Sequence, residues 1–444
     1  MEKKWSELSP EEKREERFKR WLSPPDVNFV SPQAEQAYKT RVTRFIKAIK
    51  MKEPDRVPVL LPAGYLPASY SGWTFKDVMY DYNKLRDAWL KFMHDFEPDS
   101  FDGPGLVYPG RVIEIIDHKL HKWPGHGLPD DAPVYQYVED EYMKAEEYDD
   151  FIDNPSDFWM RVFLPRTAGA FEPFQYLAAF NPIMTNPLGY ILSVSRPEVQ
   201  KAFEKLLEAA REIAKWRRAI EEVSRQALRE GYASFMGGGM AGAPFDNIAD
   251  VLRGTQGIFV DMYRQPEKLI EAMEKLVPII IKTAVRTANT SLSPVIFMPL
   301  HKGDHSFMSG KQFEKFYWPT YKKVLLGLIN EGLVPMPFAE GNYEPRLEIV
   351  KDMPKGSMVW YFEQMDMAKA KAVLGDHACI AGNLPASVLF TGTPQDVKEG
   401  CRRLIEVCAP GGGYILTAGS AMNKGNPDNL HAMMDAAKEY GVYK

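Results

Sequence analysis

The chain has 444 residues, of which 45% are hydrophobic and 26% charged, as in ordinary globular proteins. Its formal net charge of −5 gives no electrostatic reason to expect nucleic acid as a partner. No apolar run approaches the roughly 20 residues that cross a bilayer, and the N-terminus is too polar for a signal peptide. Three cysteines do not suggest a disulfide framework. We therefore expect a cytoplasmic protein without a membrane partner.

The N-terminal residues 1–36 are charged and then rich in proline, without an apolar face of any length. We expect an arm that packs on the protein surface or on a neighbouring subunit, which leaves a homodimer open. The following pattern, YKTRVTRFIKAIKM, repeats apolar residues every three or four positions and predicts an amphipathic helix. Short apolar runs at 57–61 and 100–103 predict the first two strands.

Residues 105–180 interrupt this rhythm because they are rich in proline, glycine and acidic residues, with aromatic residues between them. Loops of this length are usually functional or partly disordered. We predict an insertion between the second and third strands that covers or flanks the site. A long helix over 197–229 follows it, with Glu/Arg pairs at helical spacing.

From residue 233 onward, short apolar runs alternate regularly with helical segments. Further strands are predicted at 233–236, 295–298, 333–336, 358–361, 379–381 and 414–416. Short strands without polar alternation are typical of strands buried on both faces. With the first two strands they predict an α/β fold, a (β/α)8 TIM barrel over residues 37–444. A doubly wound open sheet is the alternative, but no Gly-x-Gly-x-x-Gly opens the first strand–helix turn.

The candidate chemistry lies between Pro294 and Pro345, where two predicted strands end in polar clusters. The first cluster holds His301 and His305, and the second holds Glu340. Because loops after parallel strands open on the same side, we expect both clusters to face one cavity. Imidazoles and a carboxylate around one cavity suit a general acid or a metal ion. We predict all three as catalytic residues and as candidate metal ligands, with a plain salt bridge of Glu340 as the alternative.

Aromatic residues cluster at two adjacent strand ends and predict the wall of a pocket for a flat or apolar ligand. Core packing is the alternative explanation for part of this cluster. The predicted substrate-binding residues are Phe338, Tyr343, Tyr361, Phe362 and Asn383.

A glycine run, Gly237–Gly242, follows the third predicted strand. No Lys-Ser/Thr comes after it, which excludes a P-loop. A tight turn that lets a large ligand approach the backbone is favoured over a phosphate cradle. We predict Gly238, Gly239 and Met240 as cofactor-binding residues.

Several motifs together resemble the uroporphyrinogen decarboxylase superfamily. They are LRG at 252–254, DMY at 261–263, GD at 375–376, CIAGNL at 379–384, GTPQDV at 392–397 and GGYIL at 412–416. The resemblance covers residues 40–105 weakly and 230–444 well. It implies a (β/α)8 barrel with its active cleft at the carboxyl ends of the strands.

The superfamily holds two chemistries, and departures from its patterns favour one of them. The decarboxylases carry an arginine-rich turn that binds substrate carboxylates, whereas the turn Pro62–Pro67 has no arginine. Burying carboxylates without partners is costly. The other branch contains corrinoid-dependent methyltransferases, whose thiol-using members bind zinc through a His-x-Cys pair and a later cysteine. Here those positions are Phe338, Glu340 and Ser420, so the soft thiolate ligands are absent.

The resemblance therefore implies a methyltransferase of the O-demethylase type. It would move a methyl group from a methoxylated substrate, aromatic or not, to cob(I)alamin on a partner corrinoid protein. One carboxylate and two histidines suit a leaving oxygen that is stabilised by Zn²⁺ or by a protonated side chain. A decarboxylase or other lyase acting on a small or tetrapyrrole acid is the first alternative. A binding protein without catalysis is the second.

Overall fold

A computed structural model describes residues 3–180 and 187–443. Within these residues there are eight strands, β1 His121–Pro124, β2 Gly127–Leu128, β3 Gln136–Tyr137, β4 Val295–Leu300, β5 Val334–Asn342, β6 Val359–Gln364, β7 Cys379–Leu384 and β8 Tyr414–Ala418. The strands β4 to β8 form a parallel sheet in chain order, and β1 to β3 form a small separate sheet inside the insertion. The fold is the predicted (β/α)8 TIM barrel.

The three earliest predicted barrel strands do not form regular ladders. Val59 makes a single parallel bridge to Leu416 of β8, and Met240 makes another to Phe297 of β4. Proline has no N–H to donate, and Pro58 and Pro62 interrupt the first of these segments. Barrel closure on this side therefore rests on isolated hydrogen bonds.

The alternation of side chains along β4 to β8 separates two cores. One set of positions lies in the barrel interior with Phe235, namely Val295, Val334, Val359, Cys379 and Ile415. Their chain neighbours pack in a second core with the surrounding helices, namely Ile296, Trp360, Ile380 and Leu416. Side chains on the interior face are the ones that continue into the barrel mouth.

The N-terminal arm packs on its own barrel. Its helix Pro10–Leu22 buries Phe18 and Trp21 in the interior core, and Trp21 stacks on Phe45 at 6.4 Å between ring centroids. The next helix begins at Pro32, inside the expected arm. The arm thus contacts the residues with which the barrel strands begin.

The long helix predicted at 197–229 is confirmed as Pro197–Arg229. The α-helices of eight residues or more that follow Pro10–Leu22 in the described residues are Pro32–Ile49, Tyr82–Phe96, Pro187–Val194, Pro197–Arg229, Gly254–Arg264, Pro266–Ala288, Trp318–Asn330, Met367–Leu374, Pro394–Cys408 and Pro427–Tyr440. The side chains of Ser309 and Thr393 cap their helices by accepting the backbone N–H groups of Gln312 and Asp396. Among the residues described, no helix combines the length and apolarity needed to cross a membrane.

Shorter helical turns complete the wall and the insertion. Three of them are π-helical, at Trp159–Phe163, Ala249–Arg253 and Phe313–Tyr317. Short α-helices lie at Leu66–Tyr70, Phe75–Tyr80, Gly110–Ile115, Tyr148–Asp153, Pro155–Phe158, Leu164–Thr167, Pro244–Ile248, Gly310–Gln312, Leu347–Val350 and Ala386–Thr391. The 3₁₀ turns are Trp5–Glu7, Ala145–Glu147, Gly169–Tyr176 and Glu344–Arg346.

The insertion is fastened to the barrel by hydrogen bonds and an ion pair. The hydroxyl of Tyr137 donates to the carbonyl of Asp250 at 2.7 Å, and Glu139 accepts from the backbone N–H of Thr255 at 2.6 Å. The buried Arg253 pairs with both Glu141 and Asp261. The insertion therefore flanks the segment that precedes the site.

Candidate active site at the barrel mouth

The structure brings His301 and Glu340 together at the carboxyl ends of β4 and β5. Leu300 pairs in register with Ala339, so the next residue of each strand lies side by side. Nε2 of His301 is 3.7 Å from Oε1 of Glu340, and the two side chains are 42% and 39% exposed. Both groups are therefore accessible to a ligand entering the mouth.

Asp250 holds the other side of the His301 ring. Its Oδ2 is 2.6 Å from Nδ1, and it lies on the π-helical turn Ala249–Arg253. The hydrogen bond to Asp250 raises the pKa of His301 to about 9, against the opposing effect of burial. At neutral pH His301 is therefore an imidazolium, with one N–H donated to Asp250 and Nε2–H on the side of Glu340.

Asp246 fixes the backbone that carries this histidine. Its buried carboxylate accepts the backbone N–H groups of His301 and Lys302, each at 3.1 Å. The hydroxyl of Tyr317 donates to the same carboxylate at 2.7 Å. Burial, reinforced by the nearby charge of Asp250, raises the pKa of Asp246 to about 7. Asp246 thus positions the loop that carries His301.

Further carboxylates give the mouth an acidic character. Burial raises the pKa of Glu340, while the charge of His301 opposes the shift. Glu363 on β6 accepts the backbone N–H of Gly341 at 2.7 Å, next to Glu340. Across the mouth, the Asn383 amide donates to the carbonyl of Met365 at 2.8 Å and borders a smaller cavity with Glu363.

The predicted aromatic wall divides into two groups. Phe338 and Tyr361 pack ring on ring in the interior, 4.3 Å apart, and the Tyr361 hydroxyl donates to the carbonyl of Ala418. Phe362 and Tyr343 are each 1% exposed and belong to the core between strands and helices. Adjacent residues of a strand point to opposite faces, so Tyr361 points into the barrel interior and Phe362 points toward the surrounding helices. Tyr343 and Phe362 therefore do not face the mouth.

The third predicted catalytic residue lies apart from the pair. His305 is exposed, and its backbone N–H donates to the carbonyl of Asn342 at 3.0 Å. Across residues 3–180 and 187–443, no group of three or more His, Cys, Asp or Glu side chains is arranged to hold a metal ion. The predicted metal ligands His301, His305 and Glu340 are thus not gathered as a set.

The glycine run has a structural cause. A side chain at Gly238 would meet the carbonyl of Val295 at 2.4 Å, and Gly239 has a φ of +109°. Both glycines therefore allow the chain to pass close to β4. Met240 is exposed and lines a large cavity beside His301.

Sequence reasoning missed Asp246, Asp250 and Glu363. Asp246 and Asp250 are four residues apart in the sequence, and nothing local connects them to β4. For Glu363 one signal was available. It lies two residues after Tyr361 on the same strand, so the two side chains point to the same face.

The protein is a TIM barrel whose mouth carries charged side chains that can donate and accept protons. Comparisons with known proteins identify its family. The uroporphyrinogen decarboxylase (URO-D) family profile matches residues 190–440. The chain belongs to this family.

Relatives by sequence represent both chemistries of the superfamily. The chain is 28% identical over 138 residues to the methylcobamide:CoM methyltransferase MtbA of Methanosarcina mazei, covering 31% of this chain and 39% of that protein. It is 32% identical over 85 residues to a uroporphyrinogen decarboxylase of Chlorobium phaeobacteroides, covering 18% and 23%. The chain thus matches less than two fifths of the length of these curated relatives.

A similar solved structure is a methyltransferase from Methanosarcina mazei. The TM-score is 0.56 at 15% identity, over 90% of this chain and 98% of that chain. These findings confirm the resemblance to the superfamily and to its methyltransferase branch.

Proposed function

We propose that this protein is a corrinoid-dependent methyltransferase that removes the methyl group of a methoxylated substrate. Family membership and the partial similarity to a methylcobamide:CoM methyltransferase support the class of reaction. The observation that carries the proposal is the placement of the His301 ring between two carboxylates. Asp250 holds it at 2.6 Å, and its free edge lies 3.7 Å from Glu340 at the open mouth.

The proposed reaction transfers a methyl carbon from the substrate oxygen, which keeps the electron pair of the broken bond. A corrinoid carried by a partner protein would supply the nucleophile for the methyl group. His301 donates its Nε2 proton to the departing oxygen, so that an alcohol or phenol leaves instead of an alkoxide or phenoxide. General acid catalysis of this kind contributes about 10²- to 10⁴-fold.

Glu340 and Asp250 serve the proton donor in different ways. Asp250 accepts from Nδ1 and keeps the ring charged and oriented, as the raised pKa of His301 indicates. Glu340 lies beside Nε2 and favours the protonated ring until the substrate oxygen arrives. In this proposal Asp250 orients the His301 ring, and both carboxylates favour its protonated form.

The side chains of His301, Asp250 and Glu340 suit a proton donor better than a zinc ion. Nδ1 of His301 is occupied by Asp250, which leaves Nε2 and Glu340 as two ligands. Structural and catalytic zinc sites use at least three protein ligands. The proposed reaction therefore has no step that uses zinc.

Decarboxylation of a tetrapyrrole is the second candidate because decarboxylases are among the relatives. The mouth opposes it with Asp250, Glu340 and Glu363, and the turn Pro62–Pro67 offers no arginine. We expect no measurable release of CO₂ from uroporphyrinogen. A rate comparable to that of a true decarboxylase would reverse the ranking.

The test is methyl transfer from a panel of methoxylated compounds to cob(I)alamin, followed by the absorbance of the corrinoid. We expect His301→Gln and Glu340→Gln each to lower kcat by about 10²- to 10³-fold. The double variant should lose less than the product of the two effects, because both residues serve one proton.

The matched control is His94→Gln. His94 forms a similar imidazole–carboxylate pair, 2.6 Å from Glu230, and is 47% exposed, but it lies on the helix Tyr82–Phe96. This variant should transfer methyl groups at the wild-type rate. A His301→Gln variant as fast as the control would refute the role of His301.

A further inference from the structure

A large apolar cavity extends from His301 away from the barrel axis. Its volume is about 1000 Å³, and it runs between the insertion and the helix Pro266–Ala288. Aromatic side chains of the insertion form one wall, Phe151, Phe158, Trp159 and Phe163. Aliphatic side chains of the helix form the other, Leu276, Ile279 and Ile280. The cavity is thus apolar along its length and polar at the end that reaches His301.

At the polar end, each cation among the described lining residues is already paired with a carboxylate. His301 is paired with Asp250, and the ammonium of Lys302 lies 3.4 Å from the same carboxylate and 2.9 Å from the Thr255 hydroxyl. Asp246 and Glu139 add further carboxyl groups to the lining. An anionic ligand would find both positive charges already neutralised, so the lining favours an uncharged ligand.

The apolar walls carry large side chains that are open to solvent. Trp159 is 52% exposed and Ile279 is 41% exposed. An apolar molecule that covers such surface removes it from water, which favours binding. The volume lies at the upper end of the roughly 300–1,000 Å³ of small-molecule sites, which suits a molecule of two or more rings.

We propose that this cavity binds the uncharged, apolar body of the methyl donor, with its methoxy oxygen at His301. The proposal rests on the proposed function for the role of His301, but the binding itself does not. It extends that function by assigning the substrate class, a neutral aromatic or hydrocarbon ether, and by placing its body beside the insertion instead of along the barrel axis.

The test is equilibrium binding of methoxynaphthalene, measured by its own fluorescence without any corrinoid. Thr283 lines the cavity, whereas the neighbouring Lys282 is exposed on the same helix and does not. We expect Thr283→Trp to fill the cavity and weaken binding by about tenfold or more, and Lys282→Trp to bind as the wild type does. Trp159→Ala, at an exposed position, should also weaken binding severalfold.

Charge is tested with methoxynaphthoate, the carboxylate analogue. We expect it to bind about tenfold more weakly than methoxynaphthalene. Equal or tighter binding of the carboxylate would overturn the assignment to neutral ligands. Absence of saturable methoxynaphthalene binding, or equal affinities of Thr283→Trp and Lys282→Trp, would overturn the site.

Failure of this inference can be told apart from failure of the proposed function. Binding that Thr283→Trp weakens, without methyl transfer to cob(I)alamin, would support the cavity and count against the methyltransferase. Methyl transfer from aromatic ethers with an unchanged kcat/KM in Thr283→Trp would support the methyltransferase and count against the cavity.

Discussion

Between β4 and β8 the barrel wall is a continuous parallel ladder, whereas the segments at 57–61 and 233–241 meet it at isolated bridges. Between those two segments, the backbone N–H of Phe101 donates to the carbonyl of Ala233 at 2.8 Å. Carboxylates replace the ladder on this second side. Asp99 accepts the backbone N–H of Val59 at 3.0 Å, and Asp102 accepts that of Met236 at 2.9 Å. The bridged side therefore combines a few isolated backbone hydrogen bonds with individual carboxylates, while the ladder side distributes its stability over many backbone hydrogen bonds.

This difference bears on function because the candidate site lies where the two sides meet. The ladder side supplies Glu340, Glu363 and Asn383 from strand ends. The bridged side leads into the segment that carries Asp246 and Asp250, which hold His301. A regular sheet positions the carboxylate, and an irregular segment positions the proton donor.

The largest effect is expected at Asp99, which is 2% exposed and pairs with Arg44 and Arg56 at 2.8 and 2.7 Å. Asp99→Asn removes the charge that Arg56 and one edge of the Arg44 guanidinium pair with, and breaking a buried ion pair typically costs roughly 3–5 kcal/mol. We expect a loss of about 3 kcal/mol or more in the free energy of unfolding, measured by denaturant titration. Asp55→Asn is the control, since Asp55 pairs with the same Arg44 but is 54% exposed, and it should cost less than about 1 kcal/mol. Similar losses in both variants would mean that packing, and not Asp99, holds this side.

The next effect concerns the pH dependence that Asp250 confers. Asp250→Asn should lower the pKa of His301 from about 9 toward its ordinary value of 6.5. A proton donor must be charged, so the alkaline limb of the kcat/KM profile should move to lower pH, with a rate about tenfold lower near pH 8. The raised pKa also adds stability that is fully present below 6.5 and is lost as the pH rises through about 9.

An NMR titration of His301 measures the pKa of its imidazole directly, without an activity assay. Asp304→Asn is the matched control, because Asp304 accepts backbone N–H groups of Phe307 and Asn342 and not the imidazole. An unchanged titration of His301 in Asp250→Asn would contradict the proposed pairing.

The smallest effect compares single amides on the two sides. The N–H of Leu60 donates to Leu416 across an isolated bridge, whereas that of Ile380 donates to Gly413 at the start of the β7–β8 ladder. We expect hydrogen exchange at Leu60 to be about tenfold faster, since isolated hydrogen bonds open locally. Asp99→Asn should widen this gap. Equal protection of both amides would show that the bridged side is as cooperative as the ladder.

Much of the fold follows from local signals in the sequence. The apolar runs of β4 to β8, the helix at 197–229, and the caps at Ser309 and Thr393 each depend on residues close in the chain. Hydrophobic periodicity and helix capping are short-range effects, so a single amino-acid sequence is enough to predict them. The proximity of His301 and Glu340 follows as well, because parallel strands end on the same side.

Only the tertiary structure decided how the site is completed. Asp250 lies 51 residues before His301, and its contact depends on where a π-helical turn packs against β4. The outward position of Phe362 depends on strand parity, which a continuous apolar run conceals because both faces of the strand are buried. Proline and glycine indicate where the early strands end. No local pattern indicates that aspartates accept the backbone N–H groups that lack a partner strand there. Long-range charge pairing and parity are set by packing between elements, and no local pattern encodes them.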